Sequence, residues 1–194
     1  MFSFGVKGGL PLTSTEDSTT AANRGFGGTV NFEMKRYTFG PTVEAKIPFG
    51  FRIEIDGLYQ HLRSDTIGVF TTSGTLRYQA GTASAWEIPM LVKRRFGHRM
   101  FSPYAAAGAT LRHIDDFSVN EWVTPLVAGF SPFFNHFTEP AYPSLTAGIT
   151  AGGGVSFKTR FLRIEPELRY THWTSNHYLA TREQLDFLVG LTFP

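Results

Sequence analysis

The strongest constraint on this chain is a hydrophobic alternation of period two that recurs along nearly its whole length. Within Phe51–His61, for example, Phe51, Ile53 and Ile55 alternate with charged residues. Successive side chains of a strand point to opposite faces of a sheet, whereas an amphipathic helix would show a period of about 3.6 residues. The alternation predicts eight strands, which are Phe2–Leu12, Arg36–Ile47, Phe51–His61, Trp86–Phe96, Pro103–His113, Leu145–Lys158, Leu162–Trp173 and Gln184–Phe193.

The connections between these strands alternate in length. The short ones are Pro48–Gly50, Gly97–Ser102 and Thr159–Phe161. The long ones are Pro11–Lys35, Leu62–Ala85, Ile114–Ser144 and Thr174–Glu183. Short periplasmic turns and long extracellular loops are typical of transmembrane β-barrels. The 194 residues are therefore predicted to form one domain, 1–194, with an all-β fold: an eight-stranded antiparallel up-and-down transmembrane β-barrel.

The second long connection contains further strand-like sequence. Thr66–Phe70 and Thr75–Tyr78 flank Thr71–Gly74, which has the composition of a turn. We interpret these segments as extensions of the third and fourth strands above the membrane. The alternative is an additional spanning pair, which would give ten strands.

Composition excludes several other classes of protein. The absence of cysteine excludes a disulfide scaffold, a thiolate zinc site and a cysteine nucleophile. The 18 basic and 16 acidic residues are dispersed and give a net charge of +2, which argues against a nucleic-acid partner. Gly152–Gly154 lacks the Lys-Ser/Thr continuation of a phosphate loop, and we predict no cofactor and no metal.

The chain opens on Met1 and Phe2, without the basic and apolar regions of a secretion signal. We interpret it as a mature segment with a start methionine in place of a removed signal peptide. The alternative is a cytosolic protein that never carried one.

Alternation alone does not decide which face meets lipid, because a soluble lipocalin-like barrel alternates too. Aromatic residues near the strand ends favour a membrane, since girdles of aromatic residues mark the two lipid–water interfaces. At the short-turn end they are Phe2, Phe49, Phe51, Phe96, Tyr104, Phe157, Phe161 and Phe193. At the long-loop end they are Tyr37, Tyr59, Trp86, Tyr170 and Trp173.

Several segments resemble the outer-membrane β-barrel domain family, the small eight-stranded barrels of the OmpA/OmpX type. They are Phe4–Gly9, Tyr37–Pro41, Pro103–Gly108, Gly152–Val155, Glu165–Tyr170 and Val189–Phe193. The last one is similar to the C-terminal aromatic strand of bacterial outer-membrane proteins, although Pro194 displaces Phe193 from the final position. The resemblance implies a bacterial outer-membrane location, contact with outer-membrane lipid and lipopolysaccharide, and recognition of the last strand by the barrel assembly machinery.

The opposite face of the predicted strands is rich in charge. It carries Lys7, Glu44, Lys46, Arg52, Glu54, Asp56, Glu87, Lys93, Arg95, Arg112, Lys158, Arg163, Glu165, Glu167, Arg169 and Asp186. An eight-stranded barrel is just wide enough to be filled by side chains, and unpaired buried charge is costly. Turn lengths predict the pairs Glu44–Arg52, Lys46–Glu54, Glu87–Arg112 and Arg169–Asp186, with Lys93 and Arg95 facing Glu165 and Glu167 across the barrel. We interpret the interior as a salt-bridged plug; the alternative is a narrow solute or ion channel.

One group of residues is similar to the catalytic set of outer-membrane lipid A deacylases. His172 and Thr174 share the lipid face near the last long loop, and Glu183 follows on the final strand. The nucleophile position holds Thr174, and Ser175 is one residue out of phase. A nucleophile and its base must be mutually reachable, so we predict no enzyme activity and keep this hydrolase as the alternative.

The third long loop carries a cluster of aromatic residues: Trp122, Phe130, Phe133, Phe134 and Phe137. Exposed apolar patches mark binding sites, which predicts a protein partner at the extracellular loops. Alternatively, the loop folds back over the barrel mouth and buries these rings. The nearby His113, Asp115, Asp116 and Glu121 are either a weak cation site or simply solvated. The sequence thus predicts a structural or interaction protein that acts through long outer loops.

Overall fold

The computed structural model describes residues 2–13, 18–23, 26–70, 74–97, 100–127, 129–141, 144–175 and 182–193. These residues form twelve strands and one 3-10 turn, Pro48–Gly50. The strands are β1 (Phe2–Pro11), β2 (Ser18–Asn23), β3 (Phe26–Lys46), β4 (Phe51–Asp56), β5 (Leu58–Phe70), β6 (Thr75–Arg95), β7 (Phe101–Ile114), β8 (Phe117–Pro125), β9 (Phe133–Glu139), β10 (Leu145–Lys158), β11 (Arg163–Trp173) and β12 (Glu183–Phe193). In these ranges we find no helix with the length and hydropathy needed to cross a membrane.

Antiparallel pairing closes the sheet into a barrel. Going round the wall, β1 pairs with β3, β3 with β4 and β5, these with β6, and β6 with β7. The circuit continues through β10, β11 and β12, and β12 pairs back onto β1 with Phe4 opposite Phe193. Because β4 and β5 occupy a single place in the wall, the barrel has eight strands and the predicted fold is confirmed.

The break between β4 and β5 follows from two prolines. Gly57 separates the two strands, and its N–H donates to the Pro41 carbonyl of β3 at 2.9 Å. On the other side, the pairing of β6 skips Pro89 between Glu87, which faces Leu58, and Met90, which faces Ile55. Proline has no N–H to give to a ladder, so pairing lapses where the two prolines flank the strand.

The second long connection extends the wall and does not add to it. β5 and β6 stay paired from Leu58 opposite Glu87 up to Phe70 opposite Thr75. The ten-stranded alternative is therefore wrong, while the extension of these two strands is confirmed. Thr71–Ser73 of the predicted turn lie outside the described residues.

Three further strands, β2, β8 and β9, lie at the same end of the barrel, where the sequence predicted only loops. β2 pairs with β3 between Ser18 and Asn31, and β8 pairs with β6 between Thr82 and Thr75. β9 then pairs with β8, from Phe117 opposite Glu139 to Val123 opposite Phe133. We call β8, β9 and the paired segments 58–70 and 75–85 of β5 and β6 the outer sheet.

The polarity of β6 inverts at Trp86. On the short-turn side of Trp86, Ile88 and Met90 point outward and are exposed, whereas Glu87 and Lys93 point inward and are buried. On the other side, Ala83 and Ala85 are buried, and the more exposed Thr82 and Ser84 that alternate with them are polar. A strand that leaves lipid for water must exchange its outward apolar residues for polar ones. The inversion therefore places the lipid–water boundary at the long-loop end of the barrel near Trp86.

Outward aromatic rings form a row across β3, β5 and β6 at this level. Ring centroids are 6.3 Å apart for Tyr37 and Phe39, 5.7 Å for Phe39 and Tyr59, and 5.4 Å for Tyr59 and Trp86. At the short-turn end, the exposed Phe101 and Phe157 meet edge to face at 5.3 Å. These rings belong to the two predicted girdles. The two levels are separated by about 9–11 residues, which is the length that a tilted spanning strand requires.

Two aromatic residues assigned to the girdles lie inside the barrel instead. Trp173 is 1% exposed and Tyr104 is 4% exposed. Each shares the parity of the inward charged positions on its own strand, Arg169 on β11 and Arg112 on β7. The alternation therefore predicts the inward orientation of these two side chains correctly, whereas their position near a strand end does not.

Candidate functional site

The middle of the barrel holds a network of fully buried ion pairs. Lys93 Nζ lies 3.0 Å from Glu44 and 3.2 Å from Glu165, and it also donates to Glu54. The side chain of Lys93 is 0% exposed. An ammonium group has three N–H donors, and here three carboxylates accept them.

Lys7 and Arg169 complete this layer. Lys7 Nζ is 2.6 Å from Glu54, 3.2 Å from Glu167 and 3.3 Å from Asp56. Arg169 donates to Glu167 at 2.8 Å, to Asp56 at 2.9 Å and to Glu54 at 3.1 Å. We call Lys7, Glu44, Glu54, Asp56, Lys93, Glu165, Glu167 and Arg169 the central network. Five strands of the wall supply it, so it ties opposite sides of the barrel together.

Three arginines lie on the short-turn side of the central network. Arg52, Arg95 and Arg163 all reach Glu44, at 3.0, 3.0 and 3.1 Å. Arg95 also reaches Glu165 at 2.5 Å. The Arg52 side chain is 20% exposed, against 0% for Glu44, so the carboxylate is buried behind the arginines.

Toward the long-loop end, the interior charge is sparser and mixed with neutral groups. Arg112 donates to Glu87 at 2.5 Å and lies 3.8 Å from the ring centroid of Trp173. Trp173 Nε1 donates to Gln184 Oε1 at 3.0 Å, and Gln184 donates to Asp186 at 2.9 Å. Between this layer and the central network, Thr150 is within hydrogen-bonding distance of Thr110, at 2.5 Å, and of Thr171, at 3.0 Å.

The sequence-based pairs differ from this arrangement in three places. Glu167, expected to face Lys93 and Arg95, pairs with Lys7 and Arg169 instead. Lys46 is exposed at the short-turn mouth, because it lies at the end of β3, beyond the central network. It therefore makes no pair with Glu54. Arg169 and Asp186 are register partners, but the guanidinium turns toward Glu167, where three carboxylates are in reach. The expected contacts of Arg52 with Glu44, Arg112 with Glu87, and Lys93 and Arg95 with Glu165 are present.

Three carboxylates of the central network lie close enough to suggest a metal site. Glu44, Glu54 and Glu165 have oxygen atoms within 4.8 Å of one another. The Lys93 ammonium bonds to all three and supplies the cation there. A metal ion would have to displace this lysine, so the donor set does not fit a resident metal.

The deacylase-like residues do not form a catalytic set. His172 and Thr174 are both on the outward face, and His172 is the register partner of Glu183. However, the Thr174 hydroxyl donates to the Ala147 carbonyl at 2.9 Å, and no hydrogen bond joins Thr174 to His172, both of which are described. Ser175 follows Thr174 at the end of β11, where the strand has already ceased. A hydroxyl held by a backbone carbonyl is not activated by a base.

The predicted loop aromatics are exposed, with Phe130 in the connection between β8 and β9 and the others on the outer sheet. Relative exposures are 71% for Phe130, 51% for Phe133, 54% for Phe134 and 39% for Phe137. Trp122 lies in a row with two other rings, with its centroid 5.3 Å from Tyr78 and 5.2 Å from Phe134. The rings thus stand on a hydrogen-bonded sheet and are not folded into the barrel mouth.

The inner face of the outer sheet is apolar. Leu62, Ala83, Ala85, Ile114, Phe117, Val119 and Ala141 form a buried cluster there, which we call the apolar cluster. Polar contacts at its edges include Glu121, which accepts from Gln79 at 2.9 Å and from Asn135 at 3.2 Å. On the outer sheet, a hydrogen bond to Asp65 at 2.8 Å raises the pKa of Arg63.

The weak cation site considered at this end is not assembled. His113 lies 3.5 Å from Asp115, and both are about half exposed. Asp116 instead accepts the Ala141 N–H at 3.2 Å, and Glu121 is occupied by Gln79. The solvated interpretation fits these contacts better.

The interior also contains neutral side chains that were not among the predicted site residues. Tyr104 donates to Glu167 at 3.1 Å, and its ring lies 4.3 Å from Lys93 Nζ. Gln184 connects Trp173 to Asp186. Their inward parity was visible in the alternation, but a search restricted to charged residues passes over them.

Among known proteins, only solved structures are similar to this chain. No family model matches the sequence, and no curated protein does. Neisserial surface protein A is 12% identical, with 99% of this chain and 95% of that chain covered and a TM-score of 0.44. The outer membrane protein OprG from Pseudomonas aeruginosa is also 12% identical, with coverages of 99% and 93% and a TM-score of 0.46. The translocator domain of autotransporter NalP from Neisseria meningitidis is 7% identical, with coverages of 100% and 88% and a TM-score of 0.36.

These low identities and TM-scores leave the fold resting on the strand pairing of the chain itself. That pairing is closed, antiparallel and eight-stranded, with an apolar outer face, two aromatic girdles and a charged interior. The chain has the fold of a small outer-membrane-type β-barrel.

Proposed function

We propose that this protein is an integral outer-membrane barrel with a plugged interior, acting as a structural or interaction protein through its outer sheet. The observation that carries the proposal is the burial of the central network, whose side chains fill the barrel at its middle. The outer sheet then supplies the part of the molecule that reaches beyond the membrane.

The case for a plug rests on exposure and charge balance. The side chains of Lys7, Lys93, Glu54 and Glu167 are each at most 1% exposed, although they lie on the axis side of the wall. A water-filled channel would leave the polar atoms lining it exposed. Each cation of the central network contacts three carboxylates, so an ion entering the lumen would have to break several of these pairs.

The experiment that tests the plug is a planar-bilayer recording of the purified protein. We expect no stable single-channel steps above background. A known porin-type channel recorded in a separate bilayer serves as the positive control for detecting insertion. Stable unitary conductance from this chain would favour the channel alternative.

The case for interaction rests on the exposed aromatic row of the outer sheet. Trp122 and Phe134 belong to this row, and the exposed Phe133 adjoins Phe134 on β9. Both β8 and β9 are hydrogen-bonded into the wall through β6. Among the described strands, β9 is the edge of the sheet and pairs only with β8. Aromatic rings held on a rigid scaffold supply contact area at little cost in entropy, which suits a protein partner.

A photo-crosslinking amino acid at Phe133 tests this role in living cells. We expect a discrete adduct from Phe133 and from Phe134. Phe161, which is 74% exposed at the short-turn end, is the matched control and is expected to give no adduct of the same mass. Absence of adducts from both outer positions in a correctly folded protein would contradict the interaction role.

The remaining assignments follow from the same orientation. The outward band between the girdles contacts outer-membrane lipid, and the outer sheet lies on the lipopolysaccharide side. The strand β12 ends in Leu191 and Phe193, both outward and exposed, which are the features available to the barrel assembly machinery. Replacing Phe193 by Ser should slow assembly, and this can be followed by the heat-dependent shift of the folded barrel on gels.

A further inference from the structure

A concave site lies at the end of the barrel opposite the outer sheet. Its cavity is about 530 Å³ and opens at the short-turn mouth. Five cationic side chains line it, and the described lining includes no carboxylate: Lys46, Arg52, Arg95, Lys158 and Arg163. We call this cavity the basic mouth.

The charge of the basic mouth is only partly neutralised. Its three arginines share Glu44, and Arg95 and Arg163 also share Glu165 at 2.5 and 3.9 Å. Both carboxylates are also bonded to Lys93 of the central network. Together with the central network, these arginines make six cations against five carboxylates, which leaves one positive charge in excess before the two lysines are counted. The cations of the mouth also repel one another across a small space.

Neither lysine of the mouth pairs with a carboxylate of the described residues. Lys46 and Lys158 are exposed, and no ion pair of either is found within the described chain. They stand on β3 and β10, so they approach the cavity from different sides of the wall. Their ammonium groups are therefore available to a ligand that enters from solution.

We propose that the basic mouth is a binding site for a multiply charged phosphate group. Arginine guanidinium groups offer paired N–H donors that match phosphate oxygens, and lysines add point charges. Ser102 and Ser156, register partners on β7 and β10, form part of the polar wall. A cavity of this volume lies within the range of about 300–1,000 Å³ that small-molecule sites occupy.

The geometry favours a soluble phosphate over a lipid headgroup as the source. The lining residues Ser102, Ser156 and Arg163 are buried inward positions of their strands, so the cavity lies inside the wall. Lipid meets the opposite face, where Phe101 and Phe157 are exposed. A headgroup would have to bend over the rim, whereas a free phosphate enters directly. This site goes beyond the interaction role of the outer sheet and does not depend on it.

Calorimetric titration with inorganic pyrophosphate tests the proposal, with the protein in a non-ionic detergent at low salt. We expect saturable binding that weakens as salt is raised, because the contacts are between charges. The double variant Lys46→Gln/Lys158→Gln should weaken the affinity by about tenfold or more, since charge-assisted hydrogen bonds are lost. Both side chains are exposed, so neither substitution disturbs the buried network.

Arg160→Gln is the matched control, because Arg160 is an exposed cation at the same end that does not line the cavity. Its affinity for pyrophosphate should equal that of the parent chain. Equal weakening in this control, or no saturable binding by the parent chain, would overturn the proposal.

Nanodiscs of two compositions distinguish the sources of phosphate. In phosphatidylcholine discs we expect the affinity found in detergent. One outcome is that phosphatidylglycerol discs lower the parent chain's apparent affinity for pyrophosphate while leaving the double variant's residual affinity unchanged. In that case the lipid headgroup competes for the same phosphate site. An equal affinity in both discs assigns the site to soluble phosphates. The conductance and crosslinking results at the other end are independent of either outcome.

Discussion

Two regions of the barrel interior are packed with opposite chemistry. The central network consists of buried charges, and its carboxylates and ammonium groups are within 2.6–3.3 Å of one another around Lys7. The apolar cluster under the outer sheet contains Leu62, Ala83, Ile114 and Phe117 instead. The first lies where the outward face is apolar, and the second lies where the outward face mixes polar residues with exposed aromatic rings.

The difference shows that the surroundings of each segment decide what its inward residues are. Below Trp86 the outward face must be apolar to meet lipid, so the hydrophobic effect offers little reason to fill the interior with apolar groups. Charges can then close it, provided that every one finds partners. Above Trp86 water surrounds the sheet, and burying apolar side chains is again the main source of stability.

The largest effect should come from removing one charge of the central network. Lys93→Met leaves Glu44, Glu54 and Glu165 without their shared ammonium, and breaking a buried pair costs about 3–5 kcal/mol of unfolding free energy. Urea unfolding in phospholipid vesicles, followed by tryptophan fluorescence, measures it. Lys46→Met is the control and should change the free energy by less than about 0.5 kcal/mol. A loss below about 1 kcal/mol for Lys93→Met would show that the network adds little.

A charge on the outward face tests the boundary near Trp86. Met90→Arg places a guanidinium between the girdles, and such a group costs about 2–4 kcal/mol near the bilayer midplane. Ile67→Arg introduces the same charge at an outward apolar position of the outer sheet, and it should cost less than about 1 kcal/mol. The same vesicle unfolding measures both. Equal costs at the two positions would place the boundary elsewhere.

A cavity in the apolar cluster should cost somewhat less. Leu62 is 6% exposed, and Leu62→Ala should lower the unfolding free energy by about 2–3 kcal/mol, since buried leucines lose this much when truncated. Ile67, 50% exposed on the same strand, is the control, and Ile67→Ala should cost less than about 1 kcal/mol. If the two losses are the same, the cluster is not a packed core.

The smallest effect is expected at the deacylase-like position. His172→Ala removes an exposed side chain that makes no hydrogen bond to Thr174, whose hydroxyl donates to the Ala147 carbonyl, so the unfolding free energy should change by less than about 0.5 kcal/mol. Mass analysis of lipid A from cells producing either protein should show the same acyl chains. Acyl loss with the parent chain that disappears with His172→Ala would instead reveal an enzyme.

The alternation of single residues was enough to predict the barrel. Parity along β4 and β6 placed Glu54, Glu87 and Lys93 inside, and the short turn after Lys46 set the pairing of β3 with β4. Parity is reliable here because a slip of one residue would put charges into lipid.

The remaining features depend on contacts that parity does not encode. The pairing of β8 with β6 joins Ser118 to Thr82 across a long connection, and the β9 segment shows no alternation that would predict a strand. Several carboxylates are possible partners of Arg169 in the sequence. The three-dimensional arrangement of β4 and β11 determines that it pairs with Glu167, Asp56 and Glu54.

The closure of the wall also has a consequence for how the barrel is made. β1 carries Phe4 and β12 carries Phe193, and these register partners lie at opposite ends of the chain. One edge of β1 therefore has no native partner until the last strand has been synthesised. Contacts so distant in sequence form slowly because a long loop must first be closed. The chain must consequently be shielded from aggregation during that interval, and the final eleven-residue strand β12 sets the moment at which shielding can end.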